Sequence, residues 1–198
     1  MRHHSAFFIV QFNMEYHLVK WGQLHNHTFK LAQKIKKDKI KIDLIVSIAR
    51  GGLTISHILS DFLELPITTF TISSYHDLKQ TKIPEITFKI GNKLHNKNIL
   101  LVDDVSDTGK TFIRGIEYLK NLGAKNIKTA SLFIKPWTKF MPNYHQESTD
   151  KWIIFPFDMK ETVVSLTRVY KKKGYSLKDI NKRLIKIGLP KKFINSYV

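Results

Sequence analysis

Four short apolar runs, each followed by a turn and then by a segment of different period, constrain the fold of this chain most. DLIVSIA (43–49), ITTFTIS (67–73), NILLVDD (98–104) and NIKTASLFIK (126–135) are dominated by Ile, Val, Leu and Thr. Runs this continuous suit strands buried on both faces. The segments between them have helical period. Residues 53–63 read as a helix that stops before Pro66, and 111–122 as one that Gly123 ends. Upstream, Trp21, Leu24, Thr28, Leu31, Ala32 and Ile35 recur at three- and four-residue steps, which predicts an amphipathic helix over 20–37. Strand and helix alternate, so the expected class is α/β with a central parallel sheet flanked by helices. Residues 75–97 are polar and carry Pro84 and Gly91. They read as a long loop of the lid type, with a strand around 86–90. WIIFPF (152–157) reads as an extended segment broken by Pro156.

Charge divides the chain. Residues 160–198 hold eleven Lys or Arg against Glu161 and Asp179, which places a compositional boundary near Lys160. The expected organisation is an N-terminal extension (1–15), a globular domain (16–159) and a basic helical C-terminal extension (160–198). Within that last part, Ser176 and Asp179 make a capping box ahead of Leu177, Ile180, Leu184 and Ile187, and Gly188 and Pro190 end the segment. A helix over 177–187 with one apolar face follows, suited to docking on the main core. The formal net charge is +17, yet only five of the 33 basic residues are Arg, the side chain best fitted to reading bases. That bias argues against nucleic acid as partner. It fits a solvated basic surface, or a field that draws an anionic small-molecule substrate. The absence of cysteine excludes disulfides and thiolate chemistry and fits a reducing, cytoplasmic setting. No window approaches the roughly 18 apolar residues of a membrane-spanning helix. The nine His show no metal-ligand spacing.

In parallel α/β sheets, ligands bind beyond the carboxyl ends of the strands. Two unusual turns fall there: ARGG (49–52) and DDVSDTGKT (103–111). GKT shares the end of a Walker A loop, but that motif needs a Gly where Asp104 stands. The physical content of the second turn is different. Backbone N–H groups of Asp107 to Thr111 form an anion nest at a helix N-terminus, Thr108 and Thr111 add hydroxyl donors, and Gly109 allows close approach. Carboxylates beside such a nest would repel an anion unless they had another task. Asp103 and Asp104 suit sugar hydroxyls or a hydrated Mg²⁺, and Asp107, at the lip, suits proton transfer. A sugar phosphate satisfies both halves.

VDDVSDTGKT resembles the 5-phosphoribosyl-1-pyrophosphate (PRPP) signature of type I phosphoribosyltransferases. SIARGGL (47–53) is similar to the pyrophosphate loop of the 6-oxopurine branch, and ISSYHDLKQ (72–80) to the Ser-Tyr start of its mobile loop. IKP (134–136) and KWIIFPFDM (151–159) resemble its base-binding segments, most closely those of the bacterial xanthine-guanine members. The likeness covers residues 16–159 and implies the type I fold, with a parallel sheet and a small base-binding hood. It implies a Mg²⁺-dependent purine salvage reaction: PRPP and xanthine, guanine or hypoxanthine give a nucleoside 5′-monophosphate and pyrophosphate. It also implies a homodimer or homotetramer.

Roles follow residue by residue from the resemblance. Asp103, Asp104, Ser106, Asp107, Thr108, Gly109, Lys110 and Thr111 would bind the ribose phosphate, with Asp107 as general base toward the purine imidazole nitrogen. Arg50, Gly51 and Gly52, in a loop that often holds a non-proline cis peptide, would grip pyrophosphate, and Ser74 and Tyr75 would close over it. Lys135 would donate to the 6-oxo group, Trp152 would stack on the base, and the main chain near Ile153 would read the 2-position. Asp104 and Asp158 would face the metal. Each has a plainer reading: a hydrophilic strand end for Asp103 and Asp104, a helix cap for Asp107, and a simple βα turn for Arg50 to Gly52. A surface loop for Ser74 and Tyr75, a solvated Lys135 and a core Trp152 complete these. Two positions depart from the bacterial pattern. Ala49 replaces a Ser, and Ile154 replaces a Glu near the base, which bears on 2-position selectivity. A second function, a PRPP-fold regulator that binds nucleic acid through its basic tail, is disfavoured by Lys135, Trp152 and the Ser74-Tyr75 lid.

Overall fold

A computed structural model describes residues 15–76 and 79–198, with the side chains of 74–76 and 79–83 outside that description. In chain order the elements are β1 (Tyr16–Leu18), α1 (Trp21–Lys37), β2 (Leu44–Ala49), α2 (Gly51–Leu63), β3 (Ile67–His76), β4 (Lys79–Phe88), β5 (Asn98–Ser106), α3 (Lys110–Asn121), β6 (Asn126–Ile134), β7 (Glu147–Ser148), β8 (Trp152–Ile154), α4 (Met159–Lys172), α5 (Leu177–Ile187) and α6 (Lys191–Tyr197). They form two compact units: Leu24–Asp150, and residues 15–23 with Lys151–Val198.

The first unit is a six-stranded sheet in the order β4-β3-β2-β5-β6-β7, parallel except for β4. All four apolar runs of the sequence are strands, and β2 and β5 are buried almost throughout. Alternate residues serve opposite faces. Val46, Ile48, Phe70, Ile99 and Leu101 join Phe112 and Leu119 of α3 in one cluster. The helix comes close because Gly115 faces Leu101, Phe70 and Ile48. On the other face, Gly52 of α2 lies against the Val102 carbonyl and Ser47. Alongside α2, His25 and Phe29 of α1 meet Phe62 edge-on.

Residues 75–97, expected as a long loop with a strand around 86–90, hold a longer strand that starts earlier: β4 (Lys79–Phe88) pairs antiparallel with β3, with register shifts at Thr71/Ile72 and Ser73/Tyr75. Pro84 concealed its start. It is tolerated because β4 is the outermost strand, where a missing N–H breaks no inner ladder.

The second unit pairs β1 parallel with β8 and packs them with three helices. Ile154, Met159, Val163, Leu166, Tyr170, Ile180, Leu184, Leu189 and Ile194 form its core. The capping box is present, with Ser176 accepting from the Asp179 N–H, and Gly188 ends α5 in the left-handed region. The helix expected to dock on the main core is therefore part of a core of its own. The compositional boundary at Lys160 falls inside α4, and the compact units part between Asp150 and Lys151. Helix α4 lies in the extension expected to be helical, but its bounds were not legible because its Val and Thr residues favour strand over helix locally; its Val163, Leu166 and Tyr170 stripe is fixed by packing.

Candidate active site

Strand β2 continues through α2 to β3 on one side, and β5 through α3 to β6 on the other. The chain thus reverses its direction of travel between β2 and β5, and in sheets of this kind ligands bind beyond the carboxyl ends at such a reversal. Both unusual turns lie at this point. Helices α2 and α3 each begin there with no side-chain cap. Their first amides and dipoles give two sites for negative charge next to each other.

At the end of β2 the Ala49–Arg50 peptide is cis, as the resemblance implied, and Arg50 is exposed at the head of α2. Gly51 is buried against the Asp104 carboxyl, and a Cβ there would occupy the carboxylate's place. At the end of β5, the Asp103 Oδ1 accepts from the Asp104 N–H at 3.0 Å and the Asp104 Oδ1 from the Val105 N–H at 2.8 Å. Both side chains are buried, which holds a carboxylate only where donors surround it. They are the hard oxygen donors Mg²⁺ takes, and that ion, keeping water and phosphate oxygens, needs only one or two protein carboxylates. Among the described residues no group of three His, Asp or Glu side chains converges. The residues present therefore fit a Mg²⁺ carried largely by substrate.

Beyond them, Asp107, Thr108 and Lys110 are exposed and Thr111 is half-buried in the first turn of α3. The cap of α3 is Gly109, not Asp107, and its φ of 82° is the left-handed conformation that glycine adopts freely. Close approach at Gly109 is made by the chain itself: a Cβ there would strike the backbone of Phe140.

A loop after β6 is sewn onto this turn. The Lys135 N–H donates to the Ser106 carbonyl at 3.0 Å, and the Ser106 and Thr138 hydroxyls both reach the Phe140 carbonyl, at 2.9 and 3.1 Å. The Phe140 ring stacks on Phe112. Ser106, expected to bind phosphate, is buried with its hydroxyl engaged in holding this loop. The loop delivers Lys135 and Trp137 to Asp107: the Trp137 Nε1–H donates to Asp107 Oδ1 at 2.8 Å, and Lys135 Nζ lies 5.5 Å from the centre of the Trp137 ring. Burial pushes the Lys135 amine below the usual lysine range, against the pull of Asp107 and Asp150. Trp137 was missed from sequence, although it directly follows the Ile-Lys-Pro of the base segment.

The backbone of Ser74 and Tyr75 runs in β3, and their side chains lie outside the described residues. Trp152, Ile153 and Asp158 belong to the second unit. Trp152 and Ile153 are half-buried in β8, where Trp152 packs on that unit's core, and Asp158 stands at the N-cap position of α4 with no side-chain cap bond. Ile154 is 1% exposed inside the same core, so its apolar side chain serves packing.

The chain is similar to known proteins of one family. The model of the phosphoribosyl transferase domain matches residues 20–164. The xanthine-guanine phosphoribosyltransferase of Desulfotalea psychrophila is 34% identical over 143 residues, 71% of this chain and 84% of that protein. The crystal structure of a purine phosphoribosyltransferase from Pyrococcus horikoshii Ot3 aligns with a TM-score of 0.66 and 41% identity, over 73% of this chain and 95% of the other. A Helicobacter pylori xanthine-guanine-hypoxanthine phosphoribosyltransferase shares the fold, with a TM-score of 0.65 at 21% identity over 76% and 97% of the two chains.

Proposed function

The chain belongs to the phosphoribosyltransferase family, and we propose that it joins PRPP to a free 6-oxopurine in purine salvage. The observation that carries this reading is the pair of uncapped helix N-termini, α2 and α3, at adjacent strand ends. PRPP is anionic at both ends, a 5′-phosphate and a pyrophosphate, with two ribose hydroxyls between. The amides of Asp107 to Thr111 take the 5′-phosphate, Arg50 with Gly51 and Gly52 takes the pyrophosphate, and Asp103 and Asp104 accept from the hydroxyls.

In the reaction a purine nitrogen forms a bond to ribose C1 while the C1–oxygen bond to pyrophosphate breaks, and pyrophosphate leaves with the electron pair. The proton on the purine imidazole passes to Asp107. Lys135 donates to the 6-oxo group and so orients the base toward that proton transfer. Mg²⁺, when bound through Asp104 and the substrate oxygens, supplies neutralisation of the charge on the leaving group. For Trp152, Ile153 and Asp158, which lie in the second unit, base-stacking, base-reading and metal-facing roles rest on the resemblance alone.

Incubation with PRPP, Mg²⁺ and xanthine, guanine or hypoxanthine in turn should yield the nucleoside monophosphate and pyrophosphate. A pure, folded sample that forms none of the three nucleotides refutes the reading. Asp107→Ala should lower kcat by about 10²–10⁴-fold, the usual worth of a positioned general base. Its exposed side chain makes an unchanged melting temperature the expected control.

A further inference from the structure

We propose that Trp137 is a positioning residue that holds both chemical partners of the base: Asp107 through its indole N–H and Lys135 through its ring face. The inference rests on the reading of the site given above and goes beyond it. Nothing in the fold requires this side chain, which is 54% exposed. An exposed Trp is an unusual use of so large an apolar surface unless its N–H edge and a ring face are both engaged.

Here both are. The indole N–H meets Asp107 Oδ1 at 2.8 Å, a charge-assisted geometry. Among the described residues no hydrogen-bond partner is found for the other oxygen, Oδ2. One carboxylate oxygen is thus tethered, and the second is left to accept the purine proton. On the ring face, Lys135 Nζ lies within cation–π range at 5.5 Å. Lys135 is buried, so a ring beside its ammonium offsets part of the hydration lost there.

The loop that carries Trp137 is rigidly placed. Ser106 and Thr138 share the Phe140 carbonyl, the Lys139 N–H reaches the Thr108 carbonyl, and Phe140 lies over Gly109 and Phe112. Trp137 therefore reaches Asp107 from a frame attached to the same turn that carries it. The distance between proton acceptor and oxo donor is fixed by one side chain.

Two variants separate the two contacts. Trp137→Phe keeps a ring beneath Lys135 and removes the N–H; Trp137→Leu removes both. Loss of one hydrogen bond to a charged group should cut kcat by about ten- to a hundred-fold in either variant. The KM for the purine should stay near wild type in Trp137→Phe and rise in Trp137→Leu. A merely structural Trp would not give this split, because general damage would move both constants together. A direct readout is the Trp137 indole ¹H–¹⁵N resonance, identified by its absence from Trp137→Phe. It should lie downfield in the full chain and move upfield in Asp107→Ala. An active wild-type enzyme whose kcat is unchanged by Trp137→Phe overturns the positioning role, as does an indole resonance indifferent to Asp107→Ala. A wild-type chain that makes no nucleotide overturns the reading of the site and this inference with it.

Discussion

Two adjacent glycines at the head of α2 have separate tasks. A Cβ at Gly51 would come closer than 3.0 Å to the Asp104 carboxylate, whereas one at Gly52 would strike the Val102 carbonyl and Ser47 Oγ. A carboxylate at the end of a side chain can swing aside; a carbonyl within a central strand cannot. Gly51→Ala should therefore displace Asp104 and depress activity, with a smaller loss of stability than Gly52→Ala. Gly52→Ala should cost about 1–3 kcal/mol of stability, the usual price of overpacking. Paired kinetics and urea titrations check this, and equal effects of the two on stability would contradict it. Lys135 gives a prediction in pH. Burial lowers its proton affinity below the ordinary 10.5, and Asp107 and Asp150 act against that. Between the lowered value and 10.5 the unfolded chain binds more protons, so stability rises with pH through that window. In the proposed reading purine affinity has the opposite sign, because there the ammonium is the donor and is lost as pH rises through the lowered value. Asp150→Asn removes one carboxylate that holds the proton, so the alkaline rise in purine KM should begin at lower pH. A pH profile of KM for both proteins measures the shift.

At the scale of elements, the site depends on how α3 meets the loop over 135–140. Gly109 is constrained twice, by a positive φ and by the Phe140 backbone against it. Gly109→Ala should cost about 2–4 kcal/mol, combining the left-handed penalty with overpacking. It should also weaken nucleotide binding, since the displaced loop carries Lys135 and Trp137. Chemical denaturation and a binding titration on the same sample test both effects. The strands and the three helices of the first unit were legible in sequence because burial on two faces leaves long Ile and Val runs and because Gly123 and Pro66 punctuate them. The β3–β4 hairpin was not, since an edge strand need not be apolar and admits Pro84. The carboxylate turn stood out in the sequence because its acids, glycine and hydroxyls are consecutive or nearly consecutive residues. The bond from the Ser106 hydroxyl to the Phe140 carbonyl was not legible, because that carbonyl is 34 positions away. Trp137 escaped for a similar reason: its meaning lies in Asp107, 30 positions upstream.

For the whole molecule, the basic C-terminal region changes standing once its packing is seen. Its lysines are exposed, but Val163, Leu166, Tyr170, Ile180, Leu184, Leu189 and Ile194 are seven of the apolar side chains that bury one another in the second unit. Ile154 and Met159, from the family-like part of the chain, have these residues as their cluster partners. A chain ending at Lys160 would keep those two and lose the other seven, leaving β1 and β8 without the helices that cover them. Two short paired strands do not persist alone in water. Removing residues 161–198 should therefore cost more than a charged tail would: the product should bind a hydrophobic dye, self-associate and lose the protection of β8 amides from hydrogen exchange. Leu184→Ala is the milder probe. It removes a fully buried side chain and should cost about 2–5 kcal/mol, read as a lower denaturation midpoint. Lys182→Ala and Lys186→Ala, on the exposed face of the same helix, should leave that midpoint nearly unchanged. A truncated chain that stays monomeric, binds no dye and protects β8 would show that the region is an appendage after all.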